Sequence, residues 1–307
     1  MSEQTLKRIF TALAVLVVFW LGSFWFTGRS DSGPVADGGL AAIFAGPNEN
    51  TVSAVRIAGP GQTVSLQPSG GAWTASGYPA DSTAIERFWF AVAAAEVGGV
   101  VANNPNNHMR MGLVADSAWT VDFTMSDGGT ASVLVGKVGP IAPSAYVRLP
   151  AQDEVVVVSG DFRRAVVRDL ADWRDKTVLR VDTAAVARVV LQTDEGTRVI
   201  QRSDRTWSAD GEPANNIIVF GILQELSSLL ALGFVEESGD VFDENPTRVI
   251  ALGASGDTLG VVLITGDADT RHARTPGSEV VFEIPDFRAD RIAPDLATLL
   301  APNSEAQ

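Results

Sequence analysis

Ten residues, "GGAWTASGYP" at 70–79, are echoed by "DRTWSADGEP" at 204–213, and this echo constrains the fold more than any other feature of the sequence. Adding 134 to Trp73 gives Trp207, and adding 134 to Pro79 gives Pro213. Under the same shift "VSAVRI" at 52–57 falls on "VARVVL" at 186–191, and one residue out of that shift "TVSLQ" at 63–67 is matched by "RVIQR" at 198–202. Each pair reads as two alternating strands joined by a turn, a hairpin that leads into the tryptophan. Downstream, Asp81 falls on Asn215, and both suit a helix N-cap because a short side-chain oxygen accepts orphan backbone N–H groups. Apolar residues then follow at Ile85, Phe88, Trp89 and Val92 in one copy and at Val219, Ile222, Leu223, Leu226 and Leu230 in the other. Both are the stripe of an amphipathic helix.

Past the helices the register drifts while the order of parts persists. "WTVDFTMSDGGTASVLVG" at 119–136 and "TRVIALGASGDTLGVVLITG" at 247–266 each read as a strand pair around a turn, Asp127-Gly128 or Ser255-Gly256-Asp257, that needs positive φ. Further strands follow, and each copy ends in a closing helix near Asp161 or Asp286. A chain of 307 residues has room for two such copies as domains of ordinary size.

Ahead of the copies, "IFTALAVLVVFWLGSFWFT" at 9–27 carries no charge over 19 residues and is bounded by Lys7 and Arg8 before it and Arg29 and Asp31 after it. A helix of that length reaches roughly 30 Å, the thickness of a hydrocarbon core. Lys7 and Arg8 favour the cytoplasmic side and Trp20, Trp25 and Phe26 the opposite headgroup boundary. Bulky Phe24, Trp25 and Phe26 stand where a cleavage site would need small residues, which argues against a removed signal peptide. The run "IIVFGILQELSSLLALGFV" at 217–235 is equally long, but Gln224, Glu225, Ser227 and Ser228 lie at its middle, and an ionised Glu there costs about 2.5 kcal/mol or more. It is the second copy's packed helix.

The expectation is therefore an α+β protein: an N-terminal transmembrane helix followed by two tandem related α+β units, each a strand hairpin, a helix, antiparallel strands and a closing helix. The expected organisation is a cytoplasmic tail at 1–8, a transmembrane anchor at 9–27, a linker at 28–49, a first repeat at 50–180, a second repeat at 181–300 and a C-terminal tail at 301–307. Localisation in a bacterial inner membrane follows, single-pass, with the N-terminus cytoplasmic and the body periplasmic or otherwise extracytoplasmic.

Charge and composition narrow the function. Residues 1–29 hold Lys7, Arg8 and Arg29 against Glu3, a net +2, so with a total of −14 the remainder carries −16. Such a body is repelled by phosphate backbones, so no nucleic-acid partner is expected. The absence of cysteine removes disulfides, thiol nucleophiles and thiolate metal sites.

The motifs add no chemistry. Trp73 and Trp207 could stack on a ligand, but each ends an alternating strand where a large ring closes the hairpin over the helix, and Trp173 reads the same way. His108 and His272 are the only histidines, in different copies, with no second His at ligand spacing. "DADTRH" at 267–272 offers Asp267 and Asp269 without the Gly and distal Glu of a calcium loop. "GASGD" at 253–257 is a turn and not a nucleophile elbow, and Glu236, Glu237, Asp240, Asp243 and Glu244 read as a solvated acidic loop. No catalytic, cofactor-binding or metal-binding residue is expected, no cofactor, and no enzymatic activity.

The ordered set of hairpin, Trp73, "YPAD" at 78–81, "MGL" at 111–113, the "DG" turn, "YVRL" at 146–149, "VVVV" at 155–158 and "DLADWRDK" at 169–176 resembles the domain of unknown function 4340 family, over about residues 50–180 and more weakly in the second copy. Met111 stands where the family pattern has an aromatic residue. The resemblance implies an N-terminal membrane helix and an association with auxiliary components of ABC-type transport systems related to gliding motility; it brings no catalytic residues. The function expected is thus an extracytoplasmic accessory or interaction protein of a transport or envelope assembly, with protein partners there. The alternatives are a hydrolase using paired carboxylates, which needs a deep acidic cleft, and a glycan or envelope-polymer binding module, which needs exposed aromatic rings.

Overall fold

The structure, a computed structural model, describes residues 39–204, 206–235, 242, 245–266 and 270–300. By contact it divides into two compact units: residues up to Gly77 with Thr83–Arg168, and Tyr78–Ser82 with the residues from Asp169 onward.

The first copy opens with helix α1 (Gly39–Ala45) and four strands, β1 (Val52–Gly59), β2 (Gln62–Ser69), β3 (Ala72–Ala75) and β4 (Tyr78–Pro79). Helix α2 (Ser82–Ala93) follows, then β5 (Glu96–Ala102), the short helix α3 (His108–Met111), β6 (Trp119–Met125), β7 (Thr130–Val138), β8 (Ser144–Arg148), β9 (Val155–Ser159) and α4 (Phe162–Val166). The nine strands form one sheet in the order β4-β3-β2-β1-β6-β7-β8-β9-β5. Alternation sets its register: Val55 faces Leu66 and Ile57 faces Val64 across the first hairpin, all four buried.

After β10 (Thr177–Leu179) the second copy lays down β11 (Arg188–Thr193), β12 (Gly196–Ser203), β13 (Thr206–Ala209), β14 (Glu212–Pro213), helix α5 (Asn216–Ser227), β15 (Leu229–Leu230) and β16 (Gly233–Phe234). It continues with β17 (Thr247–Leu252), β18 (Thr258–Thr265), β19 (Thr270–Arg274), β20 (Phe282–Pro285), α6 (Asp286–Ile292) and α7 (Leu296–Leu300). Its nine-stranded sheet runs β14-β13-β12-β11-β17-β18-β19-β20-β16, the first sheet's order element for element, while β10 and β15 pair separately. The bounds of β2, β3, β4 and α2 recur 134 positions on as those of β12, β13, β14 and α5.

The echo that marks the copies is a turn. Ser76 and Gly77 have φ of 50° and 88°, and Asp210 and Gly211 have φ of 50° and 92°. Two successive positive φ values are what a two-residue hairpin needs to match strand twist, and Ser-Gly and Asp-Gly supply them. The tryptophan sits on the strand before each turn. A second joint is also shared: the Asp81 N–H donates to the Trp173 carbonyl at 2.9 Å, and the Asn215 N–H to the Leu299 carbonyl at 2.8 Å.

The expected α+β class is corrected. Of the described residues 43% are strand and 23% helix, so the protein is mostly antiparallel β. The apolar stripes of α2 and α5 lent the sequence its helical weight, yet these two 12-residue helices are the longest described, and the closing helices shrink to five and seven residues. Two-residue strands such as β4 and β14 are too short to show a period. The expectation of a single-pass transmembrane helix is corrected with it: no helix among the described residues is long and apolar enough to cross a membrane. The run at 9–27 that prompted it, like the tails at 1–8 and 301–307, lies outside the described residues.

Asn215 caps α5 as its sequence position demands, its Oδ1 accepting from the N–H groups of Ile217 and Ile218 at 3.0 and 3.5 Å. Asn215→Ala should lower stability by about 1 kcal/mol. The urea midpoint measures this, and an unchanged midpoint would show the cap to be redundant with the Leu299 bond.

Candidate functional site

The described residue that fits its surroundings least by sequence alone is Glu225, a carboxylate on the buried side of α5 with a side chain only 4% exposed. Its Oε2 accepts from Arg288 at 2.9 Å and its Oε1 from Arg291 at 3.1 Å. The two arginines stand three residues apart on α6, so one helical face presents both to the carboxylate. Gly221, one turn earlier on α5, leaves room for this approach: a Cβ there would meet the Arg291 Cγ at 3.3 Å. A second set of ion pairs holds α6 from β19, with Arg271 donating to Asp286 at 2.6 Å and to Asp290 at 3.2 Å.

Helices α5, α6 and α7 fixed in this way enclose an open groove of about 330 Å³. Ile217 and Phe220 on α5 form one wall, Asp290 and Arg291 on α6 another, and Pro294 and Thr298 close the end. Ile217 and Phe220 are 65% and 68% exposed, and Phe287, on the stripe of α6 that also carries Arg291, is 57% exposed. The guanidinium groups of Arg288 and Arg291 lie 6.0 and 5.8 Å from the Phe287 ring centre. An apolar rim with a neutralised acid beneath it suits contact with another apolar surface. Both oxygens of Glu225 are engaged by arginine N–H groups, which makes it the arginines' counter-charge.

Asp295 secures the far end. Its carboxylate accepts from the Thr298 N–H at 2.6 Å, and that backbone bond, with the Thr298 hydroxyl, holds it below the usual carboxylate range. A folded pKa below the unfolded one contributes stability above the unfolded value and loses it as pH falls through the folded value. The Thr298 amide shift should therefore titrate with a midpoint below about 3.9. A midpoint at or above that value would show that the bond does not hold the ionised form.

The sequence candidates are scattered. Trp73 is buried, packs on Trp89 at 5.6 Å between ring centres and donates its Nε1–H to Glu49 at 3.0 Å. Its ring face is not free for a ligand. Trp207 is half-buried against the second core, with the Arg202 guanidinium 5.9 Å from its ring centre. Trp173 is fully buried. His108 is buried on α3, where Nε2 donates to the Asp153 carbonyl at 3.0 Å, while His272 lies on β19. Beside His108 the Arg148 guanidinium donates to the Leu149, Pro150 and Gln152 carbonyls at 3.0 Å each; burial lowers its pKa, and Asp153 opposes that. Ser255 and Gly256 belong to the β17–β18 turn, Gly256 with φ of 87°. Asp267, Asp269, Glu236, Glu237, Asp240, Asp243 and Glu244 lie outside the described residues. Among the described residues no three His, Asp or Glu side chains are grouped to hold a metal.

Sequence reasoning met Glu225 only as an objection to a membrane span. The signal for its role was a lone acid inside an apolar run, together with arginines three apart in "DFRADR" at 286–291.

Two copies of one antiparallel sheet, each with a 12-residue helix and the second with a groove beside that helix, define a duplicated, mostly antiparallel β protein. The chain belongs to the family described as Domain of unknown function (DUF4340), which matches residues 73–249 and so takes in both tryptophans and the turn after each. No curated protein and no solved structure matches the chain.

Proposed function

We propose that the protein acts by binding, as an accessory or interaction subunit of an ABC-type transport or cell-envelope assembly, with its body on the outer side of the cytoplasmic membrane. The observation that carries this reading is the groove between α5 and α6, where Ile217 and Phe220 keep large apolar side chains in solvent opposite Arg291, which Glu225 holds, and Phe287 is exposed on the same helix as Arg291. An apolar rim held open by ion pairs is a surface prepared for a partner. Membrane location is supported by the charge-free run at 9–27 with Lys7 and Arg8 ahead of it. The transport association is supported by the family resemblance.

The test is purification of the tagged chain from its native membranes in mild detergent. Expected is a stoichiometric permease or envelope protein that is retained by the parent and lost from Phe220→Ser. Recovery of the chain alone, with Phe220→Ser and parent indistinguishable, would remove the reading.

A further inference from the structure

The acidity of the body is interrupted in the first unit. Residues 97–115 and 128–152 contain no Asp or Glu, although the chain beyond residue 29 carries a net −16. The bordering acids are Glu96, Asp116, Asp127 and Asp153. The two stretches meet in space. Gly112, the cap of α3 with φ of 70°, lies against the end of β7, where a Cβ on it would stand 2.9 Å from the Lys137 Cγ and 3.3 Å from the Lys137 backbone nitrogen. Arg110 precedes that cap by two residues and donates to the neutral Asn107 side chain at 3.2 Å. Among the described residues neither Arg110 nor Lys137 has a carboxylate at ion-pair distance. Around these two cations large apolar side chains stand in solvent: Met109 is 75% exposed, Val138 51% and Ile141, in the turn from β7 to β8, 79%.

We propose that this face of the first unit rests on the headgroup layer of an anionic membrane, with Arg110 and Lys137 at the lipid phosphates and Met109, Val138 and Ile141 at the acyl boundary beneath them. The proposal rests on the membrane location in the reading above and adds which surface of the body meets the lipid. Cations set among exposed apolar side chains match a surface that offers anionic phosphate with hydrocarbon just below it. Like charge sets the orientation: carboxylates within about one Debye length of an anionic surface, roughly 8 to 10 Å, are repelled, so the acidic remainder turns away. The chain also enters at this place. Gly39, where the described residues begin, follows the charge-free run at 9–27 by the segment 28–38, whose extended reach is at most roughly 40 Å. Helix α1, which begins there, packs against β5 and β7, one strand from each acid-free stretch. Two cations and three apolar side chains bind weakly by themselves, so the contact depends on a tether that keeps the unit at the surface.

The chain has no cysteine, so a single introduced one carries a probe alone. The test labels full-length Ile141→Cys with nitrobenzoxadiazole and, as control, Asp127→Cys in the turn at the opposite end of β7. Both are reconstituted in vesicles of phosphatidylcholine, with and without phosphatidylglycerol, that contain headgroup-nitroxide lipid. Expected with phosphatidylglycerol is quenching at Ile141 about threefold or more above that at Asp127, a difference that Arg110→Glu with Lys137→Glu abolishes at an unchanged urea midpoint. Equal quenching at the two sites, equal quenching with and without phosphatidylglycerol, or quenching that the charge-reversed variant retains overturns the proposal. So does an Ile141 probe that lipid nitroxide does not reach in vesicles but that native membranes shield from aqueous iodide, which assigns the face to a protein. Failure of the full chain to float with vesicles removes the membrane location itself. Flotation without quenching at Ile141 sinks this proposal alone and leaves the reading above standing.

Discussion

Replacing both Arg288 and Arg291 by alanine should destabilise the protein by about 3 kcal/mol, the lower end of what breaking a buried ion pair costs. The loss comes from the group left behind. Glu225 is 4% exposed, and its two oxygens would face α6 with no donor in place of bonds of 2.9 and 3.1 Å. The lower end applies because the arginine side chains are themselves 27% and 46% exposed, so the groove admits some water to the stranded carboxylate. Adding Glu225→Leu to the double variant should restore most of the stability, since an apolar side chain of similar length needs no donor. The first copy shows that the position accepts an apolar residue: Ala91, 134 positions earlier, is buried on α2. Urea midpoints of parent, double and triple variants decide it. A double variant as stable as the parent, or a triple variant as weak as the double, would show that the ion pairs do not support the helix pair.

Trp173→Ala should be at least as damaging, at about 3 to 5 kcal/mol, because removing a fully buried ring leaves a cavity its neighbours fill only in part. Trp173 also provides the carbonyl that holds the start of α2 through Asp81 at 2.9 Å, and a collapse around the cavity would move that carbonyl. Leu299, the residue that performs the same service for Asn215 in the second copy, is equally buried. Trp173→Leu should therefore lose clearly less than Trp173→Ala and keep the joint, as amide exchange at Asp81 will show. Equal losses for the two substitutions would mean that ring packing matters and the joint does not.

The parts of the fold legible in the sequence were those with a period or a fixed local chemistry. The hairpins before each tryptophan announced themselves by alternation, α2 and α5 by their stripes, and the Asn215 cap by its place at the head of one. Positive φ at Gly128 and Gly256 follows from the turns that require it. The balance of helix and strand was misjudged because β4, β14, β15 and β16 span two residues each, too few to show a period, and β15 and β16 pair with strands far away in sequence, β10 and β20. The groove was illegible for a different reason. Glu225 lies some sixty residues from Arg288 and Arg291, as do the two walls that the ion pairs join. A pattern confined to one element cannot reveal a pairing between two.

The segment Tyr78–Ser82 bears on how the chain can be divided. It belongs by sequence to the first copy, yet by contact it counts with the second unit, where Asp81 meets Trp173 and the Pro79 carbonyl accepts from Asp175 at 2.8 Å. The polypeptide therefore passes from one unit to the other three times, at 77/78, 82/83 and 168/169. A piece beginning at Asp169 would lack the five residues that its own first turn is bonded to. A cut at 168/169 would leave the first unit whole with five residues to spare and the second unit short of those same five.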